Sequence, residues 1–144
     1  TRRLRFNRAE GRVTIDRQAG RGRIEFTVQT ASIATGDAAL DAALRTWLDA
    51  AAHPTARFAS DTLQFDGERL LSASGTLTLR GESKPLRVQA DHFNCYLNPL
   101  FKREVCGGEF IAEVDLRRWG SAPDPRLDWA PTVTLRVQVE AVRQ

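Results

Sequence analysis

The 144-residue chain has no methionine, one tyrosine, two histidines and two cysteines. Because methionine is absent altogether, we expect the chain to be part of a longer translation product. Its first residues lead into a strand-like pattern rather than into the apolar core of a signal peptide. No run approaches the roughly 18 consecutive apolar residues that a membrane-spanning helix needs. We therefore expect a protein that does not span a membrane.

Lysine is scarce too, because Lys84 and Lys102 are the only two and arginine supplies nearly all the cations behind a net charge of +3. The arginines are interleaved with Asp and Glu, and no block of five like charges occurs. A dedicated polyanion site concentrates its cations, so we expect no nucleic-acid partner. The hydrophobic fraction of 42% and the charged fraction of 27% are typical of one globular domain, which we expect to span residues 1–144.

The two cysteines, Cys95 and Cys106, are eleven residues apart. This spacing is too wide for a Cys-x-x-Cys redox motif, and His92 alone does not complete a tetrahedral metal site around them. Asn98 and Pro99 lie between the cysteines and are compatible with a hairpin that brings them together. The pair is therefore either a disulfide, which would favour an oxidising compartment, or two unremarkable thiols.

Alternation of apolar and polar residues dominates the rest of the chain and predicts strands with one buried face. Asp66-Gly67, between two such runs, is a strong hairpin signal, and Gly107-Gly108 precedes another run. About eight strands result, which indicates an all-β antiparallel barrel or sandwich. The clearest runs are residues 23–29, 75–80, 86–90, 110–116 and 132–140.

One segment follows a helical period instead. Between residues 37 and 52, Leu40, Leu44, Trp47 and Leu48 recur at helical spacing in an alanine-rich context. Asp37 is a good N-cap residue, and His53-Pro54 predicts the end of the helix because the residue before proline avoids helical geometry. We expect one short amphipathic helix inserted between two strands.

Catalytic signals are missing from this pattern. Neither His53 nor His92 has neighbours that suggest a triad or a zinc helix. Glu113 and Asp115 share one face of a strand, opposite to its apolar face, so solvent exposure explains them better than paired-carboxylate chemistry. We expect no enzyme activity, no metal and no cofactor.

The inward faces of the predicted strands would line the interior of a barrel. Eight strands enclose either a packed core or room for one small ligand, and these faces describe both cases equally well. A ligand held there would be bound by apolar area rather than by hydrogen bonds. The candidate lining residues are Ile24, Phe26, Val28, Phe58, Leu63, Phe65, Leu77, Leu79, Phe110, Val133 and Leu135.

Several short sequence motifs also follow one another in a fixed order along nearly the whole chain. They comprise a Ser-x-x-Thr-Gly stretch, a short helix, a Pro followed by Phe-x-Ser, and a Gly-x-Leu-Thr-x-x-Gly stretch. In this order and spacing the chain resembles the YceI-like family, and residues 75–85 are the most specific part. The matching positions are residues 31–36, Asp41, Leu44, His53, Pro54, residues 56–60, residues 75–81, Lys84, Pro85 and Leu86.

The resemblance implies an antiparallel lipocalin-like β-barrel with a tunnel that binds a polyisoprenoid or quinone-like lipid, in a periplasmic or secreted protein without catalytic residues. The segments around Cys95 and Cys106 resemble a cysteine-bearing branch of the family. Family members usually open with a further strand-bearing segment before the part that matches residues 4–11, and we expect that segment to be missing here. A strand edge left open by that gap would favour a homodimer.

Two main hypotheses remain, with a third ranked after them: a polyanion-binding module, which predicts a steep salt dependence of binding to nucleic acid or acidic lipid. The first is a carrier of isoprenoid lipid or quinone, with the inward apolar face as its site. The second is a non-catalytic structural or protein-interaction domain of the same fold with a filled core. The volume of the interior cavity discriminates between them.

Overall fold

The computed structural model describes residues 2–6, 9–16, 21–67, 69–100, 103–120 and 132–142. These residues form nine strands and one α-helix, with 3₁₀ turns at Thr30–Ser32 and Leu116–Trp119. The expected all-β fold with one inserted helix is confirmed, with one strand more than the eight expected. The elements are β1 (Arg2–Phe6), β2 (Ala9–Asp16), β3 (Arg21–Gln29), β4 (Ile33–Ala34), α1 (Ala38–Leu48), β5 (Thr55–Asp66), β6 (Arg69–Leu79), β7 (Glu82–Asn98), β8 (Arg103–Asp115) and β9 (Thr132–Val142).

The strands form one curled sheet in the order β2-β3-β5-β6-β7-β8-β9-β1-β4. Neighbours run antiparallel in the described ladders except for β1 and β9, which are parallel, with Leu4 opposite Leu135. The β2 end of the sheet returns to lie against β9. The sheet therefore curls into a barrel in which β2 meets β9, while β1 and β4 continue the sheet beyond β9.

The alternating runs place their apolar residues inside this barrel. Along β3, for example, Ile24, Phe26 and Val28 are buried while Arg23 and Glu25 point outward. The same period-two burial recurs on β5, β8 and β9. This is the pattern of an antiparallel sheet with one face on the core and one face in water.

Helix α1 begins where the sequence predicts and ends four residues earlier. The Asp37 carboxylate accepts hydrogen bonds from the backbone N–H groups of Ala39 and Leu40, at 3.0 and 3.1 Å. The predicted end at residue 52 is wrong, because Asp49 adopts a left-handed conformation with φ 53° directly after Leu48. A left-handed residue stops the helical ladder before His53-Pro54 is reached.

The strand directions give the barrel two distinct ends. The β6–β7 turn, the 3₁₀ turn Leu116–Trp119 and the start of β9 lie at the end that α1 covers, here called the helix-covered end. The β5–β6 and β7–β8 turns and the last residues of β9 lie at the other, here called the hairpin end.

The middle of the β7–β8 pair corrects one expectation from the sequence. Gly107-Gly108 lies inside β8 rather than before it, and His92 lies inside β7 with φ 51°. The ladder shifts register between Asp91 and Asn94 at this point. A Cβ on Gly108 would lie 2.7 Å from the Phe93 Cα, so the glycine permits the close approach of the two strands at a β-bulge.

Candidate functional site

An apolar cavity of about 20 Å³ lies at the helix-covered end. A volume of this size holds roughly one water molecule, and the eleven side chains that line it offer no polar partner for one. Such a cavity can hold an apolar group through contact area but cannot orient a polar one. The lining residues are Leu4, Phe6, Ile33, Leu44, Trp47, Leu48, Leu79, Val114, Leu116, Val133 and Leu135.

Helix α1 forms the cover of this cavity. Its apolar residues Leu40, Leu44, Trp47 and Leu48 are buried and fall on one face, because they are spaced four, three and one residues apart. Three of these four line the cavity. The apolar residues that give residues 37–52 their helical period therefore form part of the site.

The segment before α1 is held by a short polar network. The Thr35 backbone N–H and hydroxyl both donate to Asp41 Oδ1, at 2.8 and 2.6 Å. Gly36 adopts φ 90° between Thr35 and the N-cap Asp37, a conformation that glycine reaches without steric cost. The Thr-Gly pair and Asp41 thus turn the chain from β4 into the helix.

Arg80 joins the cover to the barrel wall. Its Cζ lies 4.8 Å from the centroid of the Trp47 ring, and its Nη1 donates to the Trp119 carbonyl oxygen at 3.1 Å. The Trp119 indole N–H in turn donates to the Leu77 carbonyl oxygen at 3.2 Å. Trp119 therefore fills the barrel end as core, and Arg80 clamps α1 through a cation–π contact.

A stack of aromatic rings fills the middle of the barrel. The Phe26 centroid lies 5.1 Å from that of Phe58 and 5.5 Å from that of Phe110, and Phe93 lies 5.5 Å from Phe110. Phe26 is on β3 and Phe110 on β8, strands that are not neighbours in the sheet, so the stack crosses the interior. These four residues, here called the aromatic stack, place their rings against one another inside the barrel.

The structure distributes the eleven predicted lining residues over three environments. Leu79, Val133 and Leu135 line the cavity. Ile24, Phe26, Val28, Phe58, Leu77 and Phe110 are buried in packed core, whereas Leu63 and Phe65 are only partly buried. Whether any of them contacts a ligand stays a prediction.

Eight lining residues were not predicted. The helical period indicates burial of three of them, Leu44, Trp47 and Leu48. The alternation along their strand indicates burial of two more, Val114 and Leu116. Period-two alternation predicts burial for every inward position equally. It therefore does not distinguish residues at the helix-covered end from residues in the middle of the barrel. The remaining three are Leu4, Phe6 and Ile33.

Charged groups occupy the outer face of the barrel as ion pairs within and between strands. Glu109 accepts from Arg136 at 2.9 Å and from Arg5 at 3.4 Å. Glu25 accepts from Arg23 and from Arg57. The hydrogen bond from Arg23, with the charge of Arg57 beside it, holds the pKa of Glu25 below its ordinary value.

A second exposed carboxylate behaves in the same way. The Arg117 side chain donates to Asp115, and this bond lowers the pKa of that carboxyl. A lowered carboxylate pKa favours the ionised form, which suits an ion pair rather than a proton donor at neutral pH. Within the described ranges, no three His, Cys, Asp or Glu residues gather as metal ligands.

The cysteines occupy facing positions in the sheet. Cys95 on β7 pairs directly with Cys106 on β8, and Cys106 is buried. The expected hairpin between them is confirmed, whereas the disulfide stays a prediction. In the described part of the chain, no helix has the length and apolar character needed to cross a bilayer.

Comparison with known sequences identifies relatives over the whole of this fold. A model of the YceI-like domain matches residues 1–141. A UPF0312 protein of Pseudomonas aeruginosa strain LESB58 is 30% identical over 146 aligned positions, which cover 97% of this chain and 73% of that protein. Protein YceI of Escherichia coli O157:H7 is 33% identical over 88 residues, 59% of this chain and 46% of that protein.

Solved structures share the fold. The YCEI protein of Campylobacter jejuni superimposes with a TM-score of 0.73 at 17% identity, over 98% of this chain and 84% of that one. BcnA of Burkholderia cenocepacia gives a TM-score of 0.65 at 19% identity, over 88% and 77% of the two chains. At these identities the likeness concerns the barrel architecture alone.

Proposed function

Since the chain belongs to the YceI-like family, we propose that it binds the apolar part of a long isoprenoid or quinone-like lipid inside the helix-covered end of its barrel. The observation that carries the proposal is the cavity beneath α1, because all of its lining side chains are apolar. An apolar chain gains about 25 cal/mol for each Å² of surface removed from water. Binding by area therefore needs no hydrogen-bonding residue.

The cavity must widen to admit such a ligand, since about 20 Å³ is far below the volume of an isoprenoid chain. Helix α1 is the element whose displacement opens it. The helix is joined to the strands by residues 35–37 and 49–54, which lie outside the ladders. An apolar ligand would replace the contacts that Leu44, Trp47 and Leu48 make now, so the free energy lost with the old contacts is close to that gained from the new ones. The net free energy of binding then comes from the further apolar area that the ligand buries.

The role we assign is carriage rather than catalysis. Among the described residues that line the cavity, none has a titratable or nucleophilic side chain. The facing positions of Cys95 and Cys106 suit a disulfide, and a disulfide persists in an oxidising compartment such as the periplasm. The carrier would then hold its lipid away from water in that compartment.

A structural or protein-interaction domain with a filled core is the second candidate. The cavity volume of about 20 Å³ favours it, and so does the aromatic stack, because Phe26 and Phe110 meet across the interior among the described residues. In that case the interior would take up no ligand and any function would lie on the outer surface.

A pair of matched variants separates the two functions. Leu135 and Leu86 are both 8% exposed core leucines, but only Leu135 lines the cavity. Adding volume with Leu135→Phe should weaken binding of a quinone with a long isoprenoid tail at least about tenfold. Leu86→Phe should bind like the parent protein.

Binding is measured in solution by quenching of tryptophan fluorescence, since Trp47 lies against the cavity. Thermal unfolding of both variants shows that each is folded. Equal binding by Leu135→Phe and Leu86→Phe would place the ligand elsewhere. No binding by the parent protein would favour the filled-core domain.

A further inference from the structure

The β7–β8 hairpin extends beyond the strands that flank it. The ladder between β6 and β7 ends at Ser72 and Gln89, and that between β8 and β9 ends at Val105 and Val142. Past these points the described ladders join β7 and β8 only to each other, through Leu97 with Glu104 and Asn98 with Arg103. The stretch from Tyr96 to Glu104 is here called the hairpin tip, and its described residues, 96–100 and 103–104, therefore project from the hairpin end of the barrel.

The hairpin tip carries three of the four large apolar side chains that are exposed in the described part of the chain. Tyr96, Leu97 and Leu100 are 52%, 70% and 87% exposed, and the other large apolar residue that is exposed, Leu71, is 38% exposed. Clustered apolar side chains in water mark an interaction site. Three of them within five residues at one projecting point are a local feature rather than scattered surface.

The shape of the hairpin tip limits the kind of partner. A stable protein interface involves roughly 20–30 residues on each side, far more than the stretch from Tyr96 to Glu104 contains. The headgroup region of a bilayer accepts such a point without a matching surface. Tyrosine is enriched at this depth because its ring is apolar and its hydroxyl is polar.

The charge of the hairpin tip favours anionic lipid. The sequence continues from Leu100 as Phe101, Lys102, Arg103 and Glu104, so the tip has two cations and one acid in a chain of net charge +3. A cation near a membrane surface gains about 1 kcal/mol from anionic headgroups. From these observations we propose that the hairpin tip docks the protein onto an anionic bilayer, with Tyr96, Leu97 and Leu100 inserted at the interface.

The cysteine positions support a rigid tip. Cys95 and Cys106 face each other one residue behind Tyr96 and Val105. A two-stranded hairpin is marginally stable by itself, and a cross-link at its base would hold the tip in the shape that inserts. Docking concerns the hairpin end and does not depend on a ligand beneath α1, so it goes beyond the proposed function.

The test is flotation of the purified protein with vesicles that contain no isoprenoid or quinone. Vesicles of phosphatidylcholine with phosphatidylglycerol should carry the protein upward, and vesicles of phosphatidylcholine alone should carry much less of it. The double variant Leu97→Ser with Leu100→Ser should lose at least about tenfold in partitioning. The matched control Leu71→Ser removes an exposed leucine outside the tip and should partition like the parent.

Several results would overturn docking by the tip. They are failure of the parent protein to float with anionic vesicles, and an equal loss in Leu71→Ser and the double variant. A change of oligomeric state in the double variant would assign the tip to contact between copies of the chain instead. Quinone binding in solution by the double variant tests the cavity separately, and we expect it to be unchanged.

A Tyr96→Trp variant gives a second, independent readout. Its added fluorescence should shift to the blue when anionic vesicles are present, because the ring leaves water. Vesicle binding without that shift would contradict insertion of the tip.

Discussion

The two ends of the barrel enclose their apolar side chains in different ways. At the helix-covered end, α1 and Trp119 close over buried Leu, Val and Ile side chains and leave a small cavity. At the hairpin end, Leu63 and Phe65 are only partly buried, and Leu97 and Leu100 of the hairpin tip are exposed to water. The same alternating strand pattern therefore buries apolar side chains at one end of the barrel and leaves some of them exposed at the other.

The aromatic stack lies between these two ends, and its removal should have the largest effect on stability. Phe110 is 1% exposed, so Phe110→Ala should lower the free energy of unfolding by about 3–5 kcal/mol. The matched change at the hairpin tip, Leu100→Ala, should stay within about 0.5 kcal/mol. Urea unfolding measures both values, and similar losses would mean that the tip is part of the core.

The next largest effect concerns the base of the hairpin. If Cys95 and Cys106 form a disulfide, its reduction should cost at most about 3 kcal/mol in the chain-entropy model. Hydrogen exchange should speed up in residues 94–98 and remain unchanged in α1. The double variant Cys95→Ser with Cys106→Ser should not respond to reductant. Two thiols titrated in the denatured protein without reductant would contradict the disulfide.

A smaller effect is expected from the clamp on α1. Arg80→Gln removes the cation–π contact with Trp47, which should destabilise the cover by about 1 kcal/mol and speed hydrogen exchange in α1. Arg87→Gln is the control, because Arg87 donates to Gln64 on the outer face instead. Equal exchange in α1 for the two variants would show that Arg80 does not hold the cover.

The smallest effect is a dependence of stability on pH. The pKa of Glu25 is lowered in the folded state by Arg23 and Arg57, so its ionised form stabilises the fold above the ordinary value of 4.5. That contribution is lost as the pH falls through the lower folded value. Glu25→Gln should reduce the change in the free energy of unfolding between acidic and neutral pH by about 0.5 kcal/mol. Urea unfolding at several pH values measures this change. Glu113→Gln, an exposed glutamate on β8, should keep the dependence of the parent protein.

The sequence predicted the barrel because its signals are local and periodic. Alternation in residues 23–29 and the helical spacing of Leu40, Leu44 and Trp47 report burial directly. The order of motifs identified the family for a physical reason, since several motif residues shape the backbone. A Cβ on Gly75 would lie 2.1 Å from the Ala59 carbonyl oxygen, so glycine is required where β5 and β6 approach.

The remaining features depend on contacts between distant residues. The parallel pairing of Leu4 with Leu135 and the stacking of Phe26 on Phe110 have no signature in a single strand. The helix end was placed too late because Asp49 takes a left-handed conformation, which proline at position 54 does not reveal. Which inward residues line the cavity and which fill the core was equally beyond a period-two pattern.

The most direct test of the account is organic extraction of the purified protein, with mass spectrometry of the extract against a blank. Lipid carriage beneath α1 predicts a long-chain isoprenoid or quinone, present at purification or after incubation with polyprenol and quinone mixtures, in a near one-to-one ratio with the protein. An extract that stays empty after that incubation would contradict lipid carriage beneath α1.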